Sequence, residues 1–364
     1  MSIISVDVRL LHASGIGTYI KNLVPRVIDA LPNTQFFLLG HPPSIVESMG
    51  PTGRNVATVA LNAPVYSASE QFELLRKIPS NTSLTWCPHY NIPMFYRGEL
   101  LVTIHDVFHL AMPRHVGGFH KALYARALFA AVRRKANAII ADSEFSRREL
   151  VRLTGPGKQD IHTAHIGVDP SWFSGIAQQP SLHPKPYLLF VGNVKPHKNL
   201  SGLLKAFASL IGKLPHDLII VGKREGFRSG DEKAVAKAKK LADRVHFTGH
   251  INDQSLRKYF AHADALILPS LYEGFGLPPL EAMACGCPVI VSDVAALPEV
   301  CGDAALYCDP YNPADIADKI QRLMGDDELR TTLRARGLER AQQFSWDTCA
   351  RKTLEVIEKL LHAN

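Results

Sequence analysis

Residues 263–293 read ADALILPSLYEGFGLPPLEAMACGCPVIVSD, and this stretch decides how the second half of the chain folds. An apolar run of buried-strand length, 263–268, ends at a proline. A turn with two glycines follows, and then two prolines that suit the first turn of a helix. After that helix a second apolar run, 288–292, has strand length. The pattern predicts strand, glycine turn, helix and strand, with the helix N-terminus at the turn.

A helix N-terminus after a glycine turn is a ready site for an anion, because free N–H groups and the positive end of the dipole meet there. Glu273 lies in the turn, and Glu281 lies in the first helical turn or just after it. Carboxylates repel a phosphate but accept hydrogen bonds from sugar hydroxyls. The pair therefore indicates a phosphate flanked by polyols, as in a nucleotide-sugar. The structural alternative makes Glu281 a partner of the helix dipole and Glu273 a solvated loop charge.

The string PSLYEGFGLPPLEAMACGCPVI resembles the paired-glutamate motif of retaining glycosyltransferases of family 4. The resemblance implies an α/β chain with the GT-B fold, in which two Rossmann-like, doubly wound parallel-sheet domains face a central cleft. It implies a catalytic role for Glu273, which would hold hydroxyls of the donor sugar. It also implies that the donor is bound by the rest of the motif, Gly274, Phe275, Gly276, Leu277 and Glu281, with Glu281 on the ribose.

The composition fits an ordinary globular chain of two domains. The 364 residues are 46% hydrophobic and 21% charged, with a mean hydropathy of -0.01. No apolar run approaches the roughly 18 residues of a membrane span, and the N-terminus lacks the features of a signal peptide. Six scattered cysteines without metal-site spacing predict a reduced, cytoplasmic protein. The net charge of +7 favours a polyanionic partner, although no nucleic-acid-binding motif is present.

Strand and helix patterns alternate through both halves, which predicts a parallel sheet in each. The aperiodic segment 174–186, SGIAQQPSLHPKP, is the best linker. We therefore predict an acceptor-binding Rossmann-like domain at 1–180 and a nucleotide-sugar-binding one at 181–345. By resemblance, a C-terminal helix at 346–364 packs back on the first domain.

Candidate residues of the first half follow predicted strands. Gly15 and Gly17 lie where strand one gives way to a helix, roughly 18–31, where backbone N–H groups meet an anion or a helix packs on a strand. The resemblance places this glycine loop at the donor. His105 and Asp106 end another strand, where open α/β sheets bind ligands. The resemblance assigns His105 to the transferred sugar as a catalytic residue. The acceptor pocket is assigned His89, Asn91 and Asp106.

In the second half, the loop after YLLFVG carries candidates for the donor diphosphate. Lys198 matches the lysine of the family pattern and is predicted to be catalytic. Asn193, after Gly192, occupies the position of the usual arginine. Lys195 or Arg224 would then supply the missing charge, or the backbone would hold the diphosphate.

The segment TGHIND, 248–253, resembles the loop that wraps the nucleobase. Ile251 would contact the base through its backbone. Asp253 would accept hydrogen bonds from guanine, which a uracil could not satisfy in the same way. The alternative is that Asp253 caps the helix that follows.

The helix pattern at 119–136, FHKALYARALFAAVRRKA, carries five basic residues. One interpretation is a helix lying on an anionic membrane. The other is a packed helix with solvated charges, which the scatter of basic positions around the helix favours.

The segments VDVRLL, GIGTYIKNL, TIHDVFHLAMPRH and VGNVKPHKNL look most like bacterial mannosyl- and rhamnosyltransferases of polysaccharide assembly. We therefore expect a retaining hexosyltransferase that moves mannose from GDP-mannose to a lipid-linked saccharide at the inner face of the cytoplasmic membrane. Rhamnosyl or glucosyl transfer is the alternative. No D-x-D occurs, so no metal or other cofactor is expected.

Two other classes of protein share parts of this pattern. A nicotinamide-dependent oxidoreductase would need an acid where strand two ends, and that strand ends Leu39, Gly40, His41. This class is therefore rejected. The other rival is an inactive nucleotide-sugar-binding module on the same scaffold, and the intact Glu273, Glu281, Lys198 and His105 argue against it.

Overall fold

The computed structural model describes residues 2–50, 53, 55–116, 118–173, 178–222, 241 and 243–362. These residues form two compact units, the first within 1–113, 118–167 and 345–364, the second within 114–117 and 168–344. The units divide at 167/168, earlier than the predicted 180/181, because the Val168 amide already bonds to the Phe344 carbonyl of the second unit. Residues 174–177 of the predicted linker lie outside the described ranges.

Each unit contains one parallel β-sheet. The first sheet has the order β3-β2-β1-β4-β5-β6-β7 and comprises β1 (Ile3–Asp7), β2 (Gln35–Gly40), β3 (Val56–Ala60), β4 (Leu84–Cys87), β5 (Leu100–Ile104), β6 (Ala138–Ala141) and β7 (Asp160–Thr163). The second has the order β10-β9-β8-β11-β12-β13 and comprises β8 (Tyr187–Val191), β9 (Asp217–Val221), β10 (Val245–Gly249), β11 (Ala265–Leu268), β12 (Val289–Ser292) and β13 (Ala305–Cys308).

Helices connect these strands. In the first unit they are α1 (Ser14–Ala30), α2 (Pro42–Met49), α3 (Ala68–Lys77), α4 (Phe108–Ala111), α5 (Phe119–Lys135) and α6 (Glu144–Thr154). In the second unit they are α7 (Leu200–Ala208), α8 (Asp253–His262), α9 (Leu277–Ala284), α10 (Leu297–Cys301), α11 (Pro313–Gly325) and α12 (Asp327–Gln342). The last helix, α13 (Trp346–His362), belongs to the first unit.

The sequence explains why these strands are parallel and central. β5, β8 and β9 read LLVTI, YLLFV and DLIIV, and every residue in them is buried. Continuous burial is typical of strands covered by helices on both faces, as in doubly wound sheets. The fold class predicted from the sequence, two Rossmann-like parallel-sheet domains, is confirmed.

The strand order reverses direction once in each sheet, between β1 and β4 and between β8 and β11. Loops leaving two neighbouring parallel strands in opposite directions open a crevice at the carboxyl edge, where such folds bind ligands. The strand order therefore marks one ligand edge in each unit.

Two helices of the first unit bear on the sequence predictions. α1 begins at Ser14 rather than near residue 18, so Gly15 and Gly17 lie in its first turn and not in a preceding loop. α13 packs against α1, and Trp346 lies edge-on to Tyr19 with ring centroids 6.2 Å apart.

α5 has one buried side, formed by Ala125, Leu128, Phe129, Ala131 and Val132. Arg133 and Lys135 donate hydrogen bonds to the backbone carbonyls of Gly155 and Tyr96. These contacts fit a packed helix. None of the helices in the described ranges is both long and apolar enough to traverse a bilayer.

Candidate active site

Two loops meet at the switch point of the second sheet, one leaving β8 and one leaving β11. Lys198 of the first loop donates from Nζ to both carboxylate oxygens of Glu273 in the second, at 2.7 and 2.8 Å. Ser270 Oγ also donates to Glu273 Oε1, at 2.6 Å. The Lys198 and Glu273 side chains are only 17% and 11% exposed. Glu273 is thus a paired and fixed carboxylate, and its interpretation as a solvated loop charge is wrong.

The glycine turn after Glu273 has little freedom. Gly276 has φ +123°, and a Cβ there would lie 2.8 Å from Leu297 Cδ2. Phe275 is buried and lies edge-on to Phe344, with centroids 5.8 Å apart. α9 then begins at Leu277, directly after the turn. The motif residues 274–277 therefore form a rigid connection from the paired carboxylate to a helix N-terminus.

The two prolines of α9 change what that helix N-terminus can do. Pro278 and Pro279 occupy its first turn and carry no N–H. The positive end of the dipole remains, but two of the usual N–H donors are missing. An anion bound here would therefore depend strongly on the ammonium group of Lys198.

The loop after β8 shows which groups could replace the missing arginine. Gly192 has φ +149°, and a Cβ added to it would lie 3.8 Å from the Lys198 side chain. Asn193 accepts a hydrogen bond through its carbonyl from the Lys195 amide at 2.8 Å, and the Lys195 side chain is exposed. Arg224 lies outside the described residues. The assignment of the second charge to Lys195 stays a prediction.

Glu281 is the fifth residue of α9 and is only 9% exposed. Burial, and then the nearby charge of Asp253, raise the pKa of Glu281 to about 8. The carboxyl is therefore largely protonated at neutral pH and can donate as well as accept a hydrogen bond. Because Glu281 lies beyond the first turn of α9, its interpretation as a first-turn partner of the helix dipole is wrong.

Asp253 begins α8 but does not cap it. The cap is Asn252, whose Oδ1 accepts from the Ser255 amide at 2.8 Å. Asp253 is exposed, and its charge acts on Glu281. The proposed base contacts, Ile251 and Asp253, and the proposed ribose contact, Glu281, are thus grouped in one region of the second unit.

In the first unit, both ring nitrogens of His105 are engaged. Nδ1 lies 2.7 Å from Asp142 Oδ2, and Nε2 lies 2.8 Å from the Pro88 carbonyl. A carbonyl only accepts, so Nε2 carries a proton, and an ionised Asp142 requires a second proton on Nδ1. Burial opposes charge on the ring, but Asp142 and these hydrogen bonds raise the pKa of His105 above its ordinary value.

Both ring nitrogens of His105 therefore already have hydrogen-bond partners, so neither is free to accept a proton from a sugar hydroxyl. Its side chain is 17% exposed. The predicted sugar contact remains a prediction, and the geometry favours an electrostatic contribution over proton acceptance.

His89 and Asn91 are almost fully buried, at 1% and 0% exposure. Asn91 Nδ2 donates to Glu70 Oε1 at 2.9 Å, and His89 Nε2 lies 3.2 Å from Asp7 Oδ2. These two side chains are enclosed by the protein, so their direct contact with an acceptor stays a prediction.

Arg9 links this buried network. Its Nε and Nη2 donate to Asp7 at 2.9 and 2.7 Å, and its Nη1 donates to Glu70 at 2.7 Å. Burial alone would raise the pKa of Asp7, but Arg9 and His89 hold it well below its usual range. Sequence reasoning missed Arg9 and Glu70, although two opposite charges directly after an apolar strand, in VDVR, were a usable signal.

The other candidate residues of the first unit, Gly15, Gly17 and Asp106, lie in different surroundings. Gly15 is exposed, and a Cβ there would meet nothing within 4 Å. A Cβ on Gly17 would overlap the Leu11 carbonyl, so Gly17 is needed for packing. Asp106 Oδ1 accepts from the Phe108 amide at 2.9 Å, which fixes the carboxylate at the end of β5.

Within the described ranges, one group of side chains has the spacing of metal ligands: His183, Asp217 and His246. It lies where β9 and β10 begin, at the opposite end of the strands from Lys198 and Glu273. Asp217 already accepts from Arg244 at 2.8 Å and has Lys185 Nζ at 3.5 Å, so its charge is neutralised by protein cations. The six cysteines are free thiols.

Comparisons with known proteins place these observations in a family. Residues 176–340 match the family described as "Glycosyl transferases group 1". The chain is 32% identical over 287 residues to O-antigen chain mannosyltransferase B of Escherichia coli, covering 74% of each protein. It is 26% identical over 242 residues to the serotype-specific mannosyltransferase WbdA of Escherichia coli, covering 63% of this chain and 30% of that protein.

The fold has close relatives among solved structures. The sucrose-phosphate synthase from Thermosynechococcus elongatus matches with a TM-score of 0.79 over the full length of both chains, at 22% identity. At this identity the likeness concerns the fold alone.

Asp142→Asn should destabilise the protein more at pH 5.5 than at pH 9.5. The raised pKa of His105 means that its paired charge contributes fully below a pH of about 6.5 and is lost as pH rises through the folded-state pKa. Urea unfolding at the two pH values measures this. Glu144→Gln, at the exposed Arg147–Glu144 pair, is the control and should have a small effect at both. Equal losses for Asp142→Asn would contradict the pairing.

Glu281→Gln should match the wild type in stability at pH 5 and exceed it at pH 8.5. The folded-state pKa of about 8 lies above the ordinary value of 4.5, so the wild type loses stability as pH rises from the lower value to the higher. A neutral glutamine has no such loss. Thermal unfolding midpoints test this, with the exposed Glu355→Gln as control. A variant less stable than the wild type at pH 8.5 would refute a protonated Glu281.

Proposed function

The chain belongs to the group 1 glycosyltransferases, and from that premise we propose that it transfers mannose from GDP-mannose to a saccharide acceptor with retention of anomeric configuration. The observation that carries the proposal is the Lys198–Glu273 pair, held by Ser270 at the ligand edge of the second sheet. Two relatives that carry the name mannosyltransferase support mannose as the sugar.

The pair joins a group suited to phosphate and a group suited to sugar. The Lys198 ammonium is a compact cation that can meet the departing diphosphate. Once a phosphate replaces Glu273 as its partner, the carboxylate becomes available to accept hydrogen bonds from hydroxyls of the donor sugar. Donor binding thereby exchanges one ion pair for two complementary contacts.

The proposed nucleotide contacts fit GDP. Asp253 is an exposed carboxylate that can accept from the two N–H donors on one edge of guanine. Glu281, protonated in the ligand-free protein, can donate to one ribose oxygen and accept from another. Rhamnosyl or glucosyl transfer from another nucleotide-sugar remains the alternative function.

In the reaction we propose, the bond from C1 of the sugar to the phosphate oxygen breaks while a bond from C1 to the acceptor oxygen forms. The acceptor proton passes to the departing phosphate on the same face, which gives retention without a carboxylate nucleophile. Lys198 stabilises the charge that develops on the diphosphate. We expect His105 to contact the transferred sugar without acting as a base, because both of its ring nitrogens already have hydrogen-bond partners.

We propose a lipid-linked saccharide as acceptor, presented at the inner face of the cytoplasmic membrane. The relatives named for O-antigen and serotype-specific synthesis support such a role in surface polysaccharide assembly. Peripheral contact with an anionic membrane would accord with the net charge of +7.

GDP should raise the thermal unfolding midpoint more than UDP or dTDP at equal concentration. A ligand at about 100 times its Kd stabilises by about 2.7 kcal/mol, which corresponds to a shift on the order of 5 °C. Lys198→Ala should remove most of the shift, whereas the exposed Lys213→Ala should keep it. A larger shift with UDP or dTDP would overturn the guanine assignment. No shift with any nucleotide would count against the donor site.

A further inference from the structure

Tyr66 combines an unusual backbone with an exposed aromatic ring. Among the described residues, three non-glycine residues have positive φ: Tyr66 (66°), Asn199 and Ala295. The conformation of Asn199 is stabilised by its amide, which donates to the carbonyls of Pro269 and Pro310. The Tyr66 side chain, in contrast, is 47% exposed. A bulky residue with positive φ is costly and is characteristic of functional sites.

Three neighbouring rings, those of Tyr66, Tyr90 and Phe129, form an aromatic layer. The centroid of the Tyr66 ring is 6.3 Å from that of Tyr90, with 33° between the planes. Tyr90 stacks on the buried Phe129 at 4.7 Å and 20°, and its hydroxyl lies 3.4 Å from His109 Nδ1. Phe129 and Tyr90 thus support the layer from inside, and Tyr66 is its half-exposed member.

Two carboxylates, Glu70 and Asp106, act on the Tyr66 ring. Partial burial of the ring raises the pKa of Tyr66, a hydrogen bond with the Tyr90 side chain opposes this, and the charges of Glu70 and Asp106 add to the rise. Glu70 also accepts from Tyr124 at 3.3 Å. Glu70 is fully buried and already paired with Arg9, whereas Asp106 is partly exposed. A partly exposed carboxylate repels a phosphate and accepts hydrogen bonds from hydroxyl groups.

The layer also lies at the expected edge of the first sheet. Tyr66 follows β3, Tyr90 follows β4 and Asp106 follows β5. Carboxyl ends of parallel strands share one edge, and doubly wound folds bind ligands there.

We propose that Tyr66, beside Tyr90 and Asp106, is the binding platform for a neutral pyranose of the acceptor saccharide. The C–H face of a pyranose is apolar and weakly positive, which matches the negative face of an aromatic ring. Its rim of hydroxyls can donate to the partly exposed carboxylate of Asp106. The proposal rests on the proposed saccharide acceptor, and it adds that the acceptor sugar at this position carries no phosphate.

Saturation-transfer NMR on the full chain tests the platform without any donor. The probes are methyl α-mannoside and an α-linked mannobiose, with mannose 6-phosphate as the charged comparison. With the wild type, saturation should be transferred to the ring C–H protons of the neutral sugars. It should not be transferred to the ring C–H protons of mannose 6-phosphate. Tyr66→Ala should lose the signal, Tyr66→Phe should keep it, and the exposed Tyr311→Ala should resemble the wild type.

A second readout separates failure of the platform from failure of the proposed function. If transfer occurs, Tyr66→Ala should raise the acceptor KM by roughly tenfold, equivalent to about 1.4 kcal/mol, and leave the donor KM unchanged. Transfer with an unchanged acceptor KM would overturn the platform alone. Loss of the NMR signal in Tyr66→Ala, without transfer by the wild type, would support the platform and reject the function. Equal binding of mannose 6-phosphate would overturn the neutral-sugar assignment.

Discussion

The ion pair between Lys198 and Glu273 is the constraint on which the second unit's ligand edge depends. The pair joins the loops that leave β8 and β11, across the point where the strand order reverses. Its two residues are 75 positions apart in the sequence. Both side chains are largely shielded from water, so each requires a partner of opposite charge. In the ligand-free protein they satisfy one another. A ligand that brings both an anion and hydroxyl groups can replace each partner, and a nucleotide-sugar brings both.

The same requirement, that buried charge be paired, organises the first unit with different chemistry. Arg9 lies between Asp7 and Glu70, and His105 lies against Asp142. Among the described residues near these pairs are the half-exposed ring of Tyr66 and the partly exposed carboxylate of Asp106. We propose that the ligand edges of the two sheets differ in character, one suited to a diphosphate and the other to neutral hydroxyls. The difference between the two edges lies in their loops, because central strands of both sheets, such as LLVTI and YLLFV, are apolar.

Much of this could be predicted from local sequence. Apolar runs such as LLVTI and YLLFV specify buried parallel strands, and the spacing of Glu273 and Glu281 places both near one helix N-terminus. Local pattern was less reliable at element boundaries. Asn252 and Asp253 are both good caps by residue type, and the structure uses Asn252. Likewise, the glycines of α1 suggested a loop, whereas Gly17 is needed for close packing of the helix.

Contacts between distant segments could not be predicted in this way. Arg9 meets Glu70 across 61 positions, and His105 meets Asp142 across 37. Burial and the charge of Asp253 raise the pKa of Glu281. Neither cause can be read from the residues next to Glu281 in the sequence. The backbone of Tyr66 is likewise set by its surroundings rather than by its residue type.

The most direct test of the central claim is transfer of mannose from GDP-mannose to an α-mannoside acceptor, followed by NMR in the presence of EDTA, for the wild type and Glu273→Gln. We expect that the wild type forms an α-linked product and that the variant, folded to the same degree, loses at least about 100-fold in kcat. Near-normal turnover by Glu273→Gln would contradict the role assigned to the pair. A β-linked product would contradict retention.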